Sequence, residues 1–196
     1  MSILSRPVYG TLSPQPGREH LFVADAEGAE AILDLAAGAP EGFFAAAQIV
    51  YIPRGADPSL VERLNALSPA MFYEGPSIAA ALPRLKQTLA TARMGLRVYL
   101  SGTEGLIGQA MQAALEAGID HSSIQTEHRG SLARRVQCVH CKGVTEDVTT
   151  QPVTCAHCGL LLFVRDHYSR RLAAFQGVCI NAEDRSEVPA AEVAFP

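Results

Sequence analysis

The tightest constraint on this chain is a pair of cysteine pairs: Cys138-x2-Cys141 and, after thirteen residues, Cys155-x2-Cys158-Gly159. Each pair can form a knuckle, a tight turn whose backbone N–H groups are free to bond the sulfurs. Gly159 accepts the turn dihedral after the second pair. Two knuckles at this spacing bring four thiolates to one point, the donor set of a closed tetrahedral metal site. Two disulfides or free thiols are the alternative. Four of the five cysteines paired in this way fit a metal site in a reducing cytosol better than a disulfide framework. A β module of about 30 residues has too little core to fold alone, so metal binding would supply its folding free energy.

Four thiolates suit zinc or a single iron. Zinc would be structural, because no position is left open for water or substrate. Iron would make the module a one-electron carrier of the rubredoxin kind. The spacer is shorter than the rubredoxin separation and typical of a zinc ribbon, so zinc is the expected metal and iron the alternative. A plant-type [2Fe–2S] cluster needs C-x4-C-x2-C and a distant fourth cysteine, which does not fit. His140 and His157 lie inside the knuckles and read as solvated residues there, since four thiolates complete the shell. The lone Cys179 reads as a buried apolar thiol, with no base beside it to make it a nucleophile.

Ahead of the ribbon runs an α/β rhythm. Candidate strands are His20–Asp25, Gln48–Pro53, Ala70–Tyr73, Leu96–Leu100 and a last short one ending in Glu127. Between them fall helical patterns over Glu27–Ala37, Asp57–Leu67, Ser77–Arg93 and Thr103–Ala117, with Asp57 as N-cap and Pro58 in the first turn. Strands alternating with helices imply a mostly parallel sheet covered on both faces. The expected organisation is an extended arm over 1–17, an α/β domain over 18–130, and a module over 131–196. That last module holds the four-cysteine zinc ribbon, a C-terminal helix and a tail. Pro7, Pro14 and Pro16 keep the arm from helix.

The 196 residues are 48% apolar and 18% charged, a globular composition. A net charge of −4 disfavours nucleic-acid binding, although basic residues gather between Arg129 and Arg171. No apolar run is long enough for a bilayer span, and the first ten residues lack the apolar core of a secretion signal, so a cytoplasmic protein is expected.

The stretch Val98-Tyr99-Leu100-Ser101-Gly102-Thr103-Glu104-Gly105-Leu106-Ile107, continuing through Ala117-Gly118-Ile119 to Glu127, resembles the last βαβ unit of the nicotinamide-binding domain in ferredoxin-reductase-like proteins. Ser101 stands where those proteins carry a Cys near the nicotinamide, and Thr103 where they carry a Pro. A dinucleotide fold also wants a Gly-rich turn after its first strand, to receive the pyrophosphate on helix N–H groups. Here Asp25 and Glu27 stand in that turn, and like charge opposes a nucleotide. The domain therefore reads as a degenerate Rossmann-like fold, with no cofactor-binding residue assigned.

Directly after the ribbon comes Arg165-Asp166-His167-Tyr168-Ser169-Arg170-Arg171. Asp166 or Ser169 would cap a helix beginning near Arg170. Arg165, Asp166, His167, Tyr168, Arg170 and Arg171 together read as a partner-docking surface, since Arg and Tyr are enriched among interface anchors. Residues 136–178, with CVHC, CAHCG and LLFVRDHYSRRLAAFQGV, resemble the A-subunit (DmmA-like) family of bacterial dimethylamine monooxygenase, also described as a haem-dependent oxidative N-demethylase. The resemblance implies a small, non-catalytic subunit of a hetero-oligomer. In such a complex haem sits on one partner, and a reductase with FMN and [2Fe–2S] passes electrons from NADPH. Dimethylamine is demethylated to methylamine and formaldehyde. Cys138, Cys141, Cys155 and Cys158 carry over as metal ligands, and no catalytic residue carries over. A rubredoxin-like carrier, with one Fe held by the four thiolates in the same complex, is the alternative, and a free-standing NAD(P)H-binding oxidoreductase a further one.

Overall fold

A computed structural model describes residues 6–184, 186 and 188–196. They form two compact units: Tyr9–Gly130, and residues 6–8 with Ser131–Pro196.

The first unit is a parallel sheet of β1 (Glu19–Asp25), β2 (Ala47–Ile52), β3 (Met71–Glu74), β4 (Leu96–Gly102) and β5 (Ile124–His128). Their order is β3-β2-β1-β4-β5. The helices between them are α1 (Gly28–Ala37), α2 (Ser59–Ala66), α3 (Ile78–Ala90) and α4 (Glu104–Glu116). Strand side chains alternate, and both faces are apolar. Phe22, Ile49, Tyr51 and Tyr99 meet α1 and α2, while Val23, Val50, Ile52, Val98 and Leu100 meet α3 and α4. The chain walks outward from β1 to β3, then returns past β1 to lay down β4. Crossovers of one hand then put the first two helices on one face and the last two on the other. The result is the doubly wound Rossmann-like order. Asp57 accepts the Ser59 N–H at 2.9 Å at the head of α2, and Ser77 and Thr103 cap α3 and α4.

Residues 9–17 are extended and lie against the β5 side of this sheet. Gly10 N–H donates to Thr126 O, Leu12 N–H to Glu127 Oε2 and Ser13 N–H to Gln125 Oε1. Leu12 is buried there.

The second unit holds β6 (Arg134–Cys138), β7 (Val144–Val148), β8 (Thr150–Gln151), β9 (Val153–Thr154), β10 (Leu161–Ser169), β11 (Ala174–Cys179) and β12 (Glu192–Val193). Five of them form a mixed sheet in the order β7-β6-β11-β10-β9, and β12 pairs with β8. The expected C-terminal helix is absent among the described residues. Residues 170–173 make a turn, and the chain returns as β11, parallel to β6 and antiparallel to β10. Asp166 and Ser169 therefore lie in β10 and cap no helix. The physical reason is pairing. β11 is the central strand, so a helix in its place would leave the inner edges of β6 and β10 without partners. Gly177 makes the close approach possible. A Cβ there would meet Val136 Cγ1 at 2.7 Å and Leu162 Cδ1 at 2.9 Å.

Candidate metal centre

The two cysteine pairs fold as matching knuckles. In the first, Lys142 N–H donates to Cys138 O and Cys138 N–H to Gly143 O, both at 2.9 Å. In the second, Gly159 N–H donates to Cys155 O at 3.0 Å and Cys155 N–H to Leu160 O at 2.8 Å. The fifth residue of each knuckle is left-handed, Lys142 at φ 65° and Gly159 at φ 72°. Only the second position carries the glycine that marks such a turn in sequence. The knuckles sit on the second unit's core, where Cys138 and Cys155 pack among Val136, Val148, Leu162, Val164 and Phe175.

All four Sγ atoms lie within 4.8 Å of one another. Across the knuckles, Cys138 and Cys158 are 3.8 Å apart and Cys141 and Cys155 are 3.7 Å apart. A tetrahedral ion with metal–sulfur bonds of about 2.3 Å has edges of about 3.8 Å, so this donor set and spacing fit such an ion. Burial pushes the Cys155 thiol up. The backbone N–H groups of Cys158 and His157, with the neighbouring thiols, outweigh it and hold Cys155 at about 6 against an ordinary 9.0. Four sulfurs fill a tetrahedral shell, so the arrangement can fix two loops or pass an electron, and it has no place for substrate.

His157 stays outside the sulfur cluster but is not idle. Its Nε2 lies 2.9 Å from Val144 O, and its ring covers Gly143, where a Cβ would fall 2.4 Å from the ring. It ties one knuckle to the other, a role invisible in spacing alone. His140 is exposed. Cys179 is half-buried rather than buried, and its thiol lies 3.5 Å from Asn181 Oδ1.

The docking candidates divide. β10 holds two extra residues, Asp166 and His167, between the pairs Arg165↔Gln176 and Tyr168↔Phe175. This bulge aims Asp166 at Arg6 and at Arg134 Nη2, the latter at 2.9 Å. The Arg6 hydrogen bond, then Arg134, hold the Asp166 carboxyl below the ordinary carboxylate range. Tyr168 meets Phe175 edge-on at 5.1 Å. Arg165, His167, Arg170 and Arg171 are exposed. Arg134 is a residue that sequence reasoning missed. Its guanidinium is buried between the rings of Phe175 (4.1 Å) and Phe195 (4.0 Å). Nothing in the spacing marks it, because Phe195 arrives from the far end of the chain.

In the first unit the carboxyl ends of β1 and β4 form the switch point where doubly wound folds bind ligands. Asp25, 1% exposed, accepts from Thr103 N–H at 2.7 Å and Thr103 Oγ1–H at 2.6 Å, with Arg54 Nη1 at 3.4 Å. Burial pushes the Asp25 pKa up against those bonds. The first residue of α1 rests on β4, where a Cβ on Gly28 would lie 2.4 Å from Ser101 O. The sequence flagged the charge of Asp25 and Glu27 but not the Thr103 partner.

Known proteins are similar to this chain. The profile of "Dimethylamine monooxygenase subunit DmmA-like, N-terminal domain" matches residues 1–124, and that of the corresponding C-terminal domain matches residues 135–178. The chain belongs to this DmmA-like family. A curated relative, the heme-dependent oxidative N-demethylase delta subunit of Ectopseudomonas mendocina (strain ymp), is 37% identical over 108 residues. The match covers 55% of this chain and 62% of that one, so the chain spans less than two thirds of the length of the relative it matches. Among solved structures, the phthalate dioxygenase reductase is similar at TM-score 0.45 and 13% identity, covering 69% of this chain and 45% of that one. The ferredoxin reductase in carbazole 1,9a-dioxygenase is similar at TM-score 0.44 and 15% identity, covering 59% and 39%.

Proposed function

We propose that this family member is a non-catalytic subunit of a hetero-oligomeric oxidative N-demethylase acting on dimethylamine. Its ribbon is built on a structural zinc held by Cys138, Cys141, Cys155 and Cys158. Haem, FMN and [2Fe–2S] sit on partner subunits, and the complex is cytoplasmic. The carrying observation is membership of this family, and two features of the chain support a role without an active site of its own. The sulfur cluster supplies a full tetrahedral shell, and at the switch point the buried Asp25 carboxylate is held by Thr103. When bound, zinc would supply four fixed thiolate bonds and no redox change. Arg165, His167, Arg170 and Arg171 are the exposed side chains that would meet acidic surface on a partner.

The test is co-purification of the chain with its partner subunits, followed by metal analysis and dimethylamine-dependent NADPH oxidation. The expected outcome is one zinc per chain, no visible absorbance from this subunit, and loss of it from the complex when Arg165 and Arg170 are both changed to Glu. One iron per chain, with thiolate bands that bleach reversibly, would make the subunit an electron carrier instead. NADPH oxidation by the chain alone would overturn the non-catalytic role.

A further inference from the structure

We propose that the first unit carries a small-oxyanion site on Arg97, Thr11 and Ser123, taking the carboxylate or phosphate group of a small molecule. This site is separate from the sulfur cluster and from the switch point, and does not depend on the function proposed above.

The site lies where the extended segment 9–17, and not a helix, crosses the amino-terminal part of β4. Helix α2 stays on the β3-β2-β1 side of its face, and α1 meets β4 at its carboxyl end, where Gly28 rests on Ser101. Over the amino-terminal part of β4 and over Gln125 of β5 lies the extended segment 9–17. Gln15 N–H donates to Tyr99 OH at 3.2 Å, and Arg18 N–H donates to Gly95 O at 2.9 Å. Pro14 and Pro16 hold this segment extended, so it bridges the sheet without filling the space beneath it. A cleft of about 350 Å³ remains, with Tyr99 and Gln125 in it, opposite each other in the β4–β5 register.

The chemistry of the cleft is that of hydrogen-bond donors. Arg97 Nε donates to Pro16 O at 2.9 Å, and Nη1 to Ser123 Oγ at 3.3 Å. Those two bonds orient the guanidinium and leave its Nη2 hydrogens toward no acceptor of the described chain. No carboxylate pairs with Arg97 among the described residues. Ser123 Oγ accepts from Arg97, so its own proton is available to a ligand. Thr11 adds a further hydroxyl. Asp120, which opens the short turn carrying Ser122 and Ser123, takes Ser122 N–H and Oγ–H on its Oδ1 and does not line the cleft. Gln125 is tied to the backbone of Ser13 from both ends of its amide. What is left facing the cleft is one oriented fork of positive charge and two hydroxyls. A planar guanidinium fork matches the spacing of carboxylate or phosphate oxygens. The volume limits the ligand to a small molecule or a small head group.

The experiment is an amide-resolved NMR titration of the full chain as purified with malonate and, separately, inorganic phosphate, at constant ionic strength set by sodium chloride. Saturable shifts confined to residues 11–15, 97–99 and 122–125 are expected. Arg97→Gln should weaken binding at least tenfold and Ser123→Ala a few-fold, while Lys86→Ala, far from the cleft on an exposed ion pair, leaves it unchanged. Tighter phosphate than malonate would assign a phosphate ligand, and the reverse a carboxylate. Shifts that never saturate, that spread over every basic side chain, or that survive Arg97→Gln unchanged would overturn the site. Should Arg97→Gln lose its fold, Ser123→Ala and Thr11→Val decide the same question.

Discussion

Asp25 is a carboxylate buried at the end of β1, and its pKa is raised by that burial. A group of this kind contributes stability that is complete below its ordinary value of 3.8 and is lost as pH rises through the folded value. Asp166 has the opposite sign. Its pKa is lowered by Arg6 and Arg134, so its contribution is present above 3.8 and is lost as pH falls through the folded value. Thermal melts of wild type and Asp25→Asn between about pH 4 and about pH 7 should therefore differ in slope. The wild type loses stability relative to the variant as pH rises, and parallel curves would remove Asp25 from the account. Gly28→Ala drives a methyl into the Ser101 backbone at 2.4 Å, where no side chain can yield. It should cost about 3 kcal/mol, read by urea unfolding. Asp166→Ala leaves the buried Arg134 guanidinium without its carboxylate. A loss of about 2 kcal/mol in the second unit is expected by the same measurement.

Among the elements, the five strands and four helices of the first unit were legible because each carries its own period: apolar runs for buried parallel strands, three-four spacing for helices. β11 was not. Arg-Arg-Leu-Ala-Ala before Phe175 has strong local helix propensity, yet residues 170–173 turn, and from Ala174 the chain pairs with the open edges of β6 and β10 as a strand. The one local clue was Gly177 in the middle of an apolar run, which marks a close backbone approach. Gly177→Ala should cost about 2 kcal/mol through the clash with Val136 and Leu162. The knuckles were legible from cysteine spacing, including Gly159. Lys142 was not, because a left-handed lysine leaves no mark in composition.

For the molecule as a whole, every α-helix among the described residues lies in the first unit, and the sulfur cluster lies in the second. Stripping metal with a strong chelator should therefore abolish the native amide spectrum of residues 131–179 while the helical far-UV signal persists. Cys155→Ser should do the same without chelator. Loss of the helical signal on chelation would show that the first unit depends on the metal as well. Local information carried the fold class and the four cysteines, because periodicity and ligand spacing act between near neighbours. Contacts between distant residues decided the rest. Thr103 reaches Asp25 across 78 positions, and Arg6 reaches Asp166 across 160. Phe195 closes over Arg134, and residues 11–17 bridge β4 and β5 to leave the Arg97 cleft. No local pattern encodes such meetings. They exist only once strand order and packing have brought the partners together.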